Sequence, residues 1–492
     1  MTSPRIQERA AFLWASTRQV VRETTPAAPL LAGMLALDVS SWLANLRFPA
    51  SGAAAGALAV ARLVALTLAF GCFALCALRE RPAWVHRAAP ILIWPLLLWS
   101  IWTAAQGLRV VAEVWPQRLT GPAIYGSDAV YDQHYNAWLM LHGQNPYTGE
   151  RLTGVSSYFH IIAYTPLARG VFADPRRLPT PHELHLVYNA FTHDPAHPPV
   201  EIDPRVTHSY PAGSFLLVAP FVWAGASSVA GAFIVACVAL WLALIACAPG
   251  RWRWLAALGP LLMVDGLRQV AGGDFEILAL ALVLGAWLAR ERRLLSIALL
   301  GVAVATKQTA WMATPFYLLW VWRAHGRDEA LRRGAGVAGV FLVVNAPWIV
   351  LSPGAWLASL PLPFSLPLLP NGVGVIGLAA VGLGGFAPPA MYAALELLAF
   401  GGLLRLAWLL GERAPFLGCV VPLAPLLLAW RSPERYFELI PLAALAAFLL
   451  TRQLVEASAS PTAGRGSSHH FAARLTRSAG PDRMRNAASR SA

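Results

Sequence analysis

The stretch from Tyr125 to Tyr147 concentrates side chains that can take part in chemistry. Asp128 and Asp132 are four residues apart, so on a helix both carboxylates lie on one face. Two carboxylates at a membrane surface can supply a general base to an acceptor hydroxyl, or hold a divalent cation. The alternative interpretation is that Asp128 caps a helix and that Asp132 is only solvated.

The same stretch carries signals for one helix with defined ends. Ser127 followed by Asp128 is typical of a helix start, and Gly143 is typical of a helix end. Asn145-Pro146 prevents the helix from continuing. Aromatic side chains along one side of this helix predict that it lies in the membrane interface.

Cationic side chains are found at two further positions where they would suit an anionic phosphate. Lys307 is the only lysine and lies between two apolar segments, where a charge is costly and is functional by default. Its alternative is a lysine at a helix end that reaches the headgroups. Arg431 and Arg435, four residues apart, suit a phosphate clamp. They suit equally an ion-pair cluster with the neighbouring Glu434 and Glu438.

Asp274 and Glu276 flank Phe275 at the start of a further apolar segment. The two carboxylates either cap a helix or bind acceptor hydroxyls from an outer cavity, and we favour the second interpretation. Several histidines occur nearby in the chain, but their spacing matches no compact zinc pattern and favours loop hydrogen bonding. These histidines are His182, His185, His193, His197 and His208.

The composition decides which kind of molecule must position these residues. The chain has 492 residues, of which 57% are hydrophobic and 13% charged, with a mean hydropathy of +0.54. These values exclude a soluble multidomain protein and indicate one polytopic membrane bundle. The net charge of +13 gathers beside hydrophobic segments rather than in one patch, so a nucleic-acid partner is not expected. The five cysteines all lie in apolar runs, which argues against a disulfide framework.

Apolar runs and flanking arginines divide the chain into five parts. Residues 1–26 form a cytoplasmic segment, and 27–112 form three transmembrane helices at about 27–46, 55–78 and 89–112. Residues 113–211 form a large outer loop, and 212–451 form the main helix bundle. Residues 452–492 form a disordered basic cytoplasmic tail. The run 212–248 crosses the membrane either once or twice. A single crossing places 272–276, 306–309 and 431–438 on the same side as the outer loop.

Four short motifs, taken in order, resemble glycosyltransferase family 87, a group of membrane enzymes of the GT-C superfamily that use polyprenyl-phosphate sugars. The motifs are LMLHGQNPY at 139–147, HSYPAGSFLL at 208–217, GGDFEIL at 272–278 and LGVAVATKQT at 300–309. The resemblance extends over about residues 110–450 and rests on the order and spacing of the motifs. It implies an all-α polytopic fold, a GT-C-like bundle with interfacial helices in the outer loop. The apolar runs predict about 12–13 transmembrane helices for this bundle.

The resemblance also implies roles for individual residues. Asp128 would act as the general base, with Asp132 as the second candidate. The donor phosphate would bind to the three cationic residues Lys307, Arg431 and Arg435. The acceptor would bind to Asp274, Glu276, Tyr147, Asn145 and Tyr210. No cofactor is required, although a divalent cation at Asp128 and Asp132 is an alternative.

The expected partners are a polyprenyl-phosphate-linked sugar such as mannose, a glycan or lipid acceptor, and membrane lipids. The expected location is the inner membrane of a bacterium, with transfer on its outer face. A transporter or lipid flippase is the alternative, but the two halves of the chain show no convincing internal repeat. A catalytically silent scaffold in envelope assembly is a third interpretation.

Overall fold

A computed structural model describes residues 23–44, 52–122, 124–148, 208–272, 275–362 and 368–459, with isolated positions at 19, 46, 160–161, 172–173, 183 and 186. The described chain is built almost entirely of helices. The four strands, β1 (Ile124–Tyr125), β2 (His160–Ile161), β3 (Asn371–Gly372) and β4 (Arg431–Ser432), have two residues each. They form two parallel pairs, β1 with β2 and β3 with β4.

The chain begins with the three predicted membrane helices. A short 3-10 turn (Thr25–Ala27) leads into α1 (Ala28–Ala44), and α2 (Ala53–Cys76) follows. The third helix, α3 (Ala83–Arg109), differs from the prediction, because it continues through a π-helical turn (Val110–Val114) into α4 (Trp115–Thr120). The apolar run ends near residue 112, but the helix continues up to Gly121, because Pro116 falls in the first turn of α4, where proline is tolerated. The helix therefore extends eight residues beyond the predicted end of the membrane span at 112.

The predicted outer loop, residues 113–211, is called the outer segment below. It contains the helix that carries the two aspartates, α5 (Asp128–Leu141). The chain is described again from His208, and the run 212–248 proves to be three helices, α6 (Gly213–Leu216), α7 (Ala219–Trp223) and α8 (Ala230–Cys247). The residues after α7 return to the outer segment, because Ser227 Oγ donates a hydrogen bond to the Gly121 carbonyl, at 2.9 Å. Since α7 also packs against α5, only α8 is left to cross the membrane.

The remaining elements complete the bundle. They are a 3-10 turn (Gly250–Trp252), α9 (Arg253–Leu258), a 3-10 turn (Gly259–Leu262), α10 (Val264–Gly272), α11 (Glu276–Leu288), α12 (Arg293–Val304), α13 (Thr309–His325), α14 (Arg327–Leu351) and α15 (Pro353–Ser359). After these come α16 (Val375–Ala380), α17 (Pro389–Leu410), a 3-10 turn (Gly411–Arg413), α18 (Leu417–Val420), a 3-10 helix (Val421–Leu428), α19 (Arg435–Glu438) and α20 (Ile440–Ala459).

Seven of the described helices are long and apolar enough to cross a membrane, or eight if α10 and α11, which meet at 117°, are one broken span. This number is smaller than the 12–13 expected from the apolar runs. Proline interrupts several of the runs, at Pro220, Pro260, Pro422 and Pro425, and each of these leaves short α-helical or 3-10 pieces. The protein is a multi-pass, all-α membrane protein with several short helices packed among the long ones.

The contacts define two opposite ends of the bundle. At one end, arginine-rich connections meet: the Arg79 amide donates to the Arg413 carbonyl at 2.8 Å, and Arg251 forms a 2.7 Å ion pair with Glu456. At the other end, the Gly126 amide donates to the Gly272 carbonyl at 3.0 Å. The arrangement agrees with the prediction that 272–276, 306–309 and 431–438 share one side with the outer segment.

Candidate functional site

Asp128 lies at the first turn of α5, as its sequence signals predict. Ser127 is the N-cap residue, and its Oγ accepts a 3.3 Å hydrogen bond from the Ala129 amide. Asp128 Oδ1 accepts a 2.9 Å hydrogen bond from the same amide, and its side chain is partly exposed. The Asp128 side chain thus lies at the positive end of the helix dipole. Asp128 therefore combines a held orientation with access from outside the protein.

Asp132, one turn further along α5, is engaged by protein groups on both of its oxygens. Asn136 Nδ2 donates to Asp132 Oδ1 at 2.7 Å, and His208 Nδ1 lies 2.7 Å from Asp132 Oδ2. The second ring nitrogen of His208, Nε2, lies 3.2 Å from Ser214 Oγ. The two aspartates are thus not equivalent, because Asp132 belongs to a buried network that joins α5 to α6.

The contacts run from Asp132 to His208 to Ser214. This is the order of a catalytic triad, in which an acid orients a histidine base and the base activates a serine nucleophile. The geometry excludes this role. Ser214 is fully buried, and its hydroxyl donates a 2.7 Å hydrogen bond to the Pro211 carbonyl, so its hydrogen does not point at His208. The three residues therefore form a structural network.

Lys307 and Glu276, which the sequence suggested for different substrates, bind each other. They form a buried ion pair, and Glu276 Oε2 also accepts a 2.9 Å hydrogen bond from Thr309 Oγ1. The Lys307 ammonium faces the rings of Phe275, Tyr436 and Tyr210, at 3.8, 5.7 and 5.8 Å from their centroids. We call these three residues the aromatic cage. The ammonium thus lies away from bulk water, between the Glu276 carboxylate and aromatic ring faces.

Tyr210 belongs to the cage and also lies close to the two aspartates. Its ring packs edge to face on Phe275 at 4.8 Å. Burial raises the pKa of Tyr210 well above its usual value, and the neighbouring Tyr436, Asp128, Asp132 and Glu276 raise it further. Tyr210 therefore stays a neutral phenol, and the carboxylates of α5 and α11 act on the same side chain.

Asn145 and Tyr147 hold the residues that follow α5 in place. Asn145 Oδ1 accepts from the Tyr147 amide at 3.0 Å, and its Nδ2 donates to Ser352 Oγ at 2.7 Å. Tyr147 donates its hydroxyl hydrogen to the Tyr210 carbonyl at 2.9 Å. Burial, with a further contribution from Asp132, raises the pKa of Tyr147. Both residues support the site, and their predicted contact with an acceptor remains a prediction.

The segment 431–438 approaches the site from the far part of the chain. Arg431 lies in β4, where it pairs with Asn371 of β3, and Arg435 is the first residue of α19. Glu434 forms a 2.8 Å ion pair with Arg62 of α2. Tyr436, through its ring beside Lys307, brings this segment next to the cage.

Two further predictions concern Asp274 and the histidines of the outer loop. Asp274 lies outside the described residues, as do the four histidines His182, His185, His193 and His197. Among the described residues, no group of three or more His, Cys, Asp or Glu side chains is arranged to hold a metal ion.

From the sequence, only loop hydrogen bonding was predicted for His208, and no role was predicted for Asn136, Ser214 or Tyr436. A signal was available for Asn136, since it lies one helical turn after Asp132. His208 is 76 residues from Asp132, and no local pattern indicates that they meet.

Comparisons with protein-family models, with curated proteins and with solved structures find no significant match to this chain. Fold and site together define a multi-pass membrane protein with a cluster of carboxylates, a caged lysine and aromatic side chains at the end opposite its arginine-rich connections. The function is inferred from this cluster.

Proposed function

We propose that the protein is a membrane glycosyltransferase of the GT-C type. It would move a sugar, mannose being the first candidate, from a polyprenyl-phosphate donor to a glycan or lipid acceptor at the outer face of a bacterial inner membrane. The observation that supports this most directly is the convergence of Asp128, Tyr210 and the Lys307–Glu276 pair at one end of the bundle. This end carries both a carboxylate accessible from outside and a buried cation.

In the proposed reaction Asp128 takes the proton of the acceptor hydroxyl, and the electron pair of the O–H bond stays on the oxygen. The hydroxyl oxygen then bonds to the anomeric carbon of the sugar, while the bond from that carbon to the phosphate oxygen breaks. The electron pair leaves with the polyprenyl phosphate, and the configuration at the anomeric carbon inverts. Asp128 suits the role because it lies at the positive end of the helix dipole and its side chain is partly exposed.

The leaving phosphate needs cationic partners. Lys307, Arg431 and Arg435 are the proposed ones, and the Tyr436 ring brings the segment of the two arginines next to Lys307. Because Lys307 is bound to Glu276, the phosphate would have to share the ammonium with that carboxylate. Tyr210, a neutral phenol, would offer its hydroxyl hydrogen to the sugar or the acceptor.

The test compares Asp128→Asn with Asp132→Asn. Membrane extracts would be given a synthetic polyprenyl-phosphate mannose with labelled sugar, and the transfer of label to endogenous acceptors would be measured. Loss of a general base lowers the rate by about 10²–10⁴-fold, so Asp128→Asn is expected to fall in that range. Asp132→Asn, in which the amide keeps a polar group of the same shape, should lose less. If both variants transfer at the wild-type rate, the proposal is wrong.

A transporter or lipid flippase is the second candidate, and the 117° angle between α10 and α11 favours it. Broken helices near a binding site are typical of transporters. The same extracts discriminate, because a flippase would move the labelled lipid between leaflets and leave the sugar attached to its phosphate.

A further inference from the structure

The hydrogens of the network at His208 can be counted from its geometry. Ser214 has one hydroxyl hydrogen, and the Pro211 carbonyl 2.7 Å away can only accept, so the hydrogen lies between these two oxygens. Ser214 Oγ can then only accept from His208 Nε2, which lies 3.2 Å away. His208 must therefore carry a hydrogen on Nε2.

The opposite nitrogen of the ring faces a carboxylate. A neutral imidazole has one N–H, and with that hydrogen on Nε2, the lone pair of Nδ1 would point at Asp132 Oδ2 across 2.7 Å. Such a contact is repulsive unless a second proton lies between the two atoms. An imidazole binds a proton more tightly than a carboxylate does, so the second proton belongs to His208.

Asn136 does not supply the missing hydrogen. Its Nδ2 has two hydrogens, and both are used by Asp132, through the backbone carbonyl and Oδ1, each at 2.7 Å. The 3.0 Å approach of Asn136 Nδ2 to His208 Nδ1 is therefore a packing contact.

Apart from Asp132, Asn136 and Ser214, the surroundings of His208 are aromatic. The rings of Phe215, Tyr147 and Tyr210 lie 5.1, 5.2 and 5.9 Å from the imidazole, and His208 is 2% exposed. Trp348 of α14 completes these aromatic surroundings by packing on Phe215 at 5.0 Å. The titratable groups that face the ring from the described elements are Asp132, Tyr147 and Tyr210, of which Asp132 alone is a carboxylate.

We infer that His208 is a buried imidazolium that neutralises Asp132 and makes this aspartate an anchor between α5 and the segment 208–214. His208 is then a positioning residue, and Asp128 is left as the reactive carboxylate of the pair. The assignment of the reactive carboxylate rests on the proposed function, whereas the protonation of His208 does not.

Nitrogen NMR of the full-length protein in lipid nanodiscs tests the protonation directly. The protein is labelled with ¹⁵N-histidine, and the signals of His208 are identified as those lost in His208→Gln. At neutral pH both ring nitrogens of His208 should be protonated, and in Asp132→Asn only one should be, because the asparagine amide donates to Nδ1. A singly protonated His208 in the wild-type protein overturns the inference.

Two isosteric variants test the positioning role in the transfer assay with polyprenyl-phosphate mannose. His208→Asn retains a donor near the Nδ1 position and so can hold Asp132, whereas His208→Gln retains one near Nε2 and cannot. We expect His208→Asn to stay within about 3-fold of the wild-type kcat, and His208→Gln to lose about 10-fold in kcat at an unchanged KM.

Equal losses in the two variants, with KM and kcat changing together, would mean that His208 only supports folding and would overturn the positioning role. If the wild-type protein transfers no sugar, the proposed function fails, but the NMR result still decides whether His208 is an imidazolium.

Discussion

At the scale of single residues, a second histidine shows the opposite behaviour to that inferred for His208. His134 is buried in α5, and its Nδ1 lies 2.7 Å from the hydroxyl oxygen of Tyr125. Burial lowers the pKa of His134 to about 4 and raises the pKa of Tyr125 to about 12. Both are therefore neutral at neutral pH, and Tyr125 donates to His134 while it accepts at 2.9 Å from the Val229 amide. The bond ties the helix of the aspartates to the start of α8.

This neutral histidine predicts how stability changes in acid. In the unfolded chain a histidine titrates near 6.5, so between that pH and about 4 the unfolded state binds more protons than the folded state. The contribution of His134 to the free energy of unfolding should be fully present above pH 6.5 and should decrease as the pH falls towards 4. Thermal unfolding in detergent at several pH values measures this decrease.

The matched control is His134→Asn, which keeps an acceptor near the Nδ1 position and does not titrate. Its unfolding midpoint should depend less on pH over the same range. Parallel curves for the variant and the wild-type protein would contradict the assignment of the acid sensitivity to His134.

At the scale of elements, the position of His208 and Tyr210 depends on a close approach of two backbones. The Gly213 amide, at the start of α6, donates a 2.7 Å hydrogen bond to the Ala305 carbonyl just after α12. A Cβ atom on Gly213 would lie 2.5 Å from that carbonyl oxygen, which is too close for any side chain. Glycine is thus needed where the segment before α6 meets the residues that lead to Lys307.

We expect Gly213→Ala to destabilise the fold by about 1–3 kcal/mol, because the two backbones must separate. It should also lower sugar transfer by moving Tyr210 away from Lys307. The control is Gly71→Ala in α2, where an added Cβ meets nothing within 4 Å and alanine favours the helix. Similar unfolding midpoints for the two variants would show that the contact at Ala305 is not tight.

The elements that could be predicted are those that are determined by residues close together in the sequence. The predicted ranges of the first two membrane helices lie within about two residues of α1 with its preceding turn and of α2, because both follow from long apolar runs. The start of α5 at Asp128 follows from local capping by Ser127. The breaks around Pro220, Pro260 and Pro422 were not predicted, since hydropathy over a window of residues does not register a turn.

The site itself was predictable only in part. Asp128, Glu276 and Lys307 were identified by residue type, because charge in an apolar setting is conspicuous. Their partners were not, since the pairing of Lys307 with Glu276 and of Asp132 with His208 depends on how distant segments pack.

At the scale of the whole molecule, the distribution of charge predicts the orientation in the membrane. Arginine-rich connections lie at one end, and the aspartates, the cage and the outer segment lie at the other. By the positive-inside rule we predict that the first end faces the cytoplasm. The proposed reaction would then take place on the outer side.

Labelling with a membrane-impermeant maleimide tests this orientation in intact cells. In a background with the five native cysteines replaced, His142→Cys, at an exposed position after α5, should react from outside. Glu412→Cys, exposed at the opposite end, should react only after the membrane is permeabilised. The reverse pattern would invert the orientation and place the aspartates in the cytoplasm.

The uninterrupted helical stretch Ala83–Thr120 has 38 residues. Such a stretch spans about 57 Å if straight, nearly twice the ~30 Å of hydrocarbon in a bilayer. Its last turns carry an exposed ion pair between Arg109 and Glu113, so they lie beyond the lipid tails. Since α5 begins eight residues after this stretch ends, the height of Asp128 above the lipid depends on how far the stretch tilts. Bilayer thickness thereby becomes a physical variable of the site, because a thicker membrane requires less tilt and changes the depth at which a lipid-borne substrate meets Asp128.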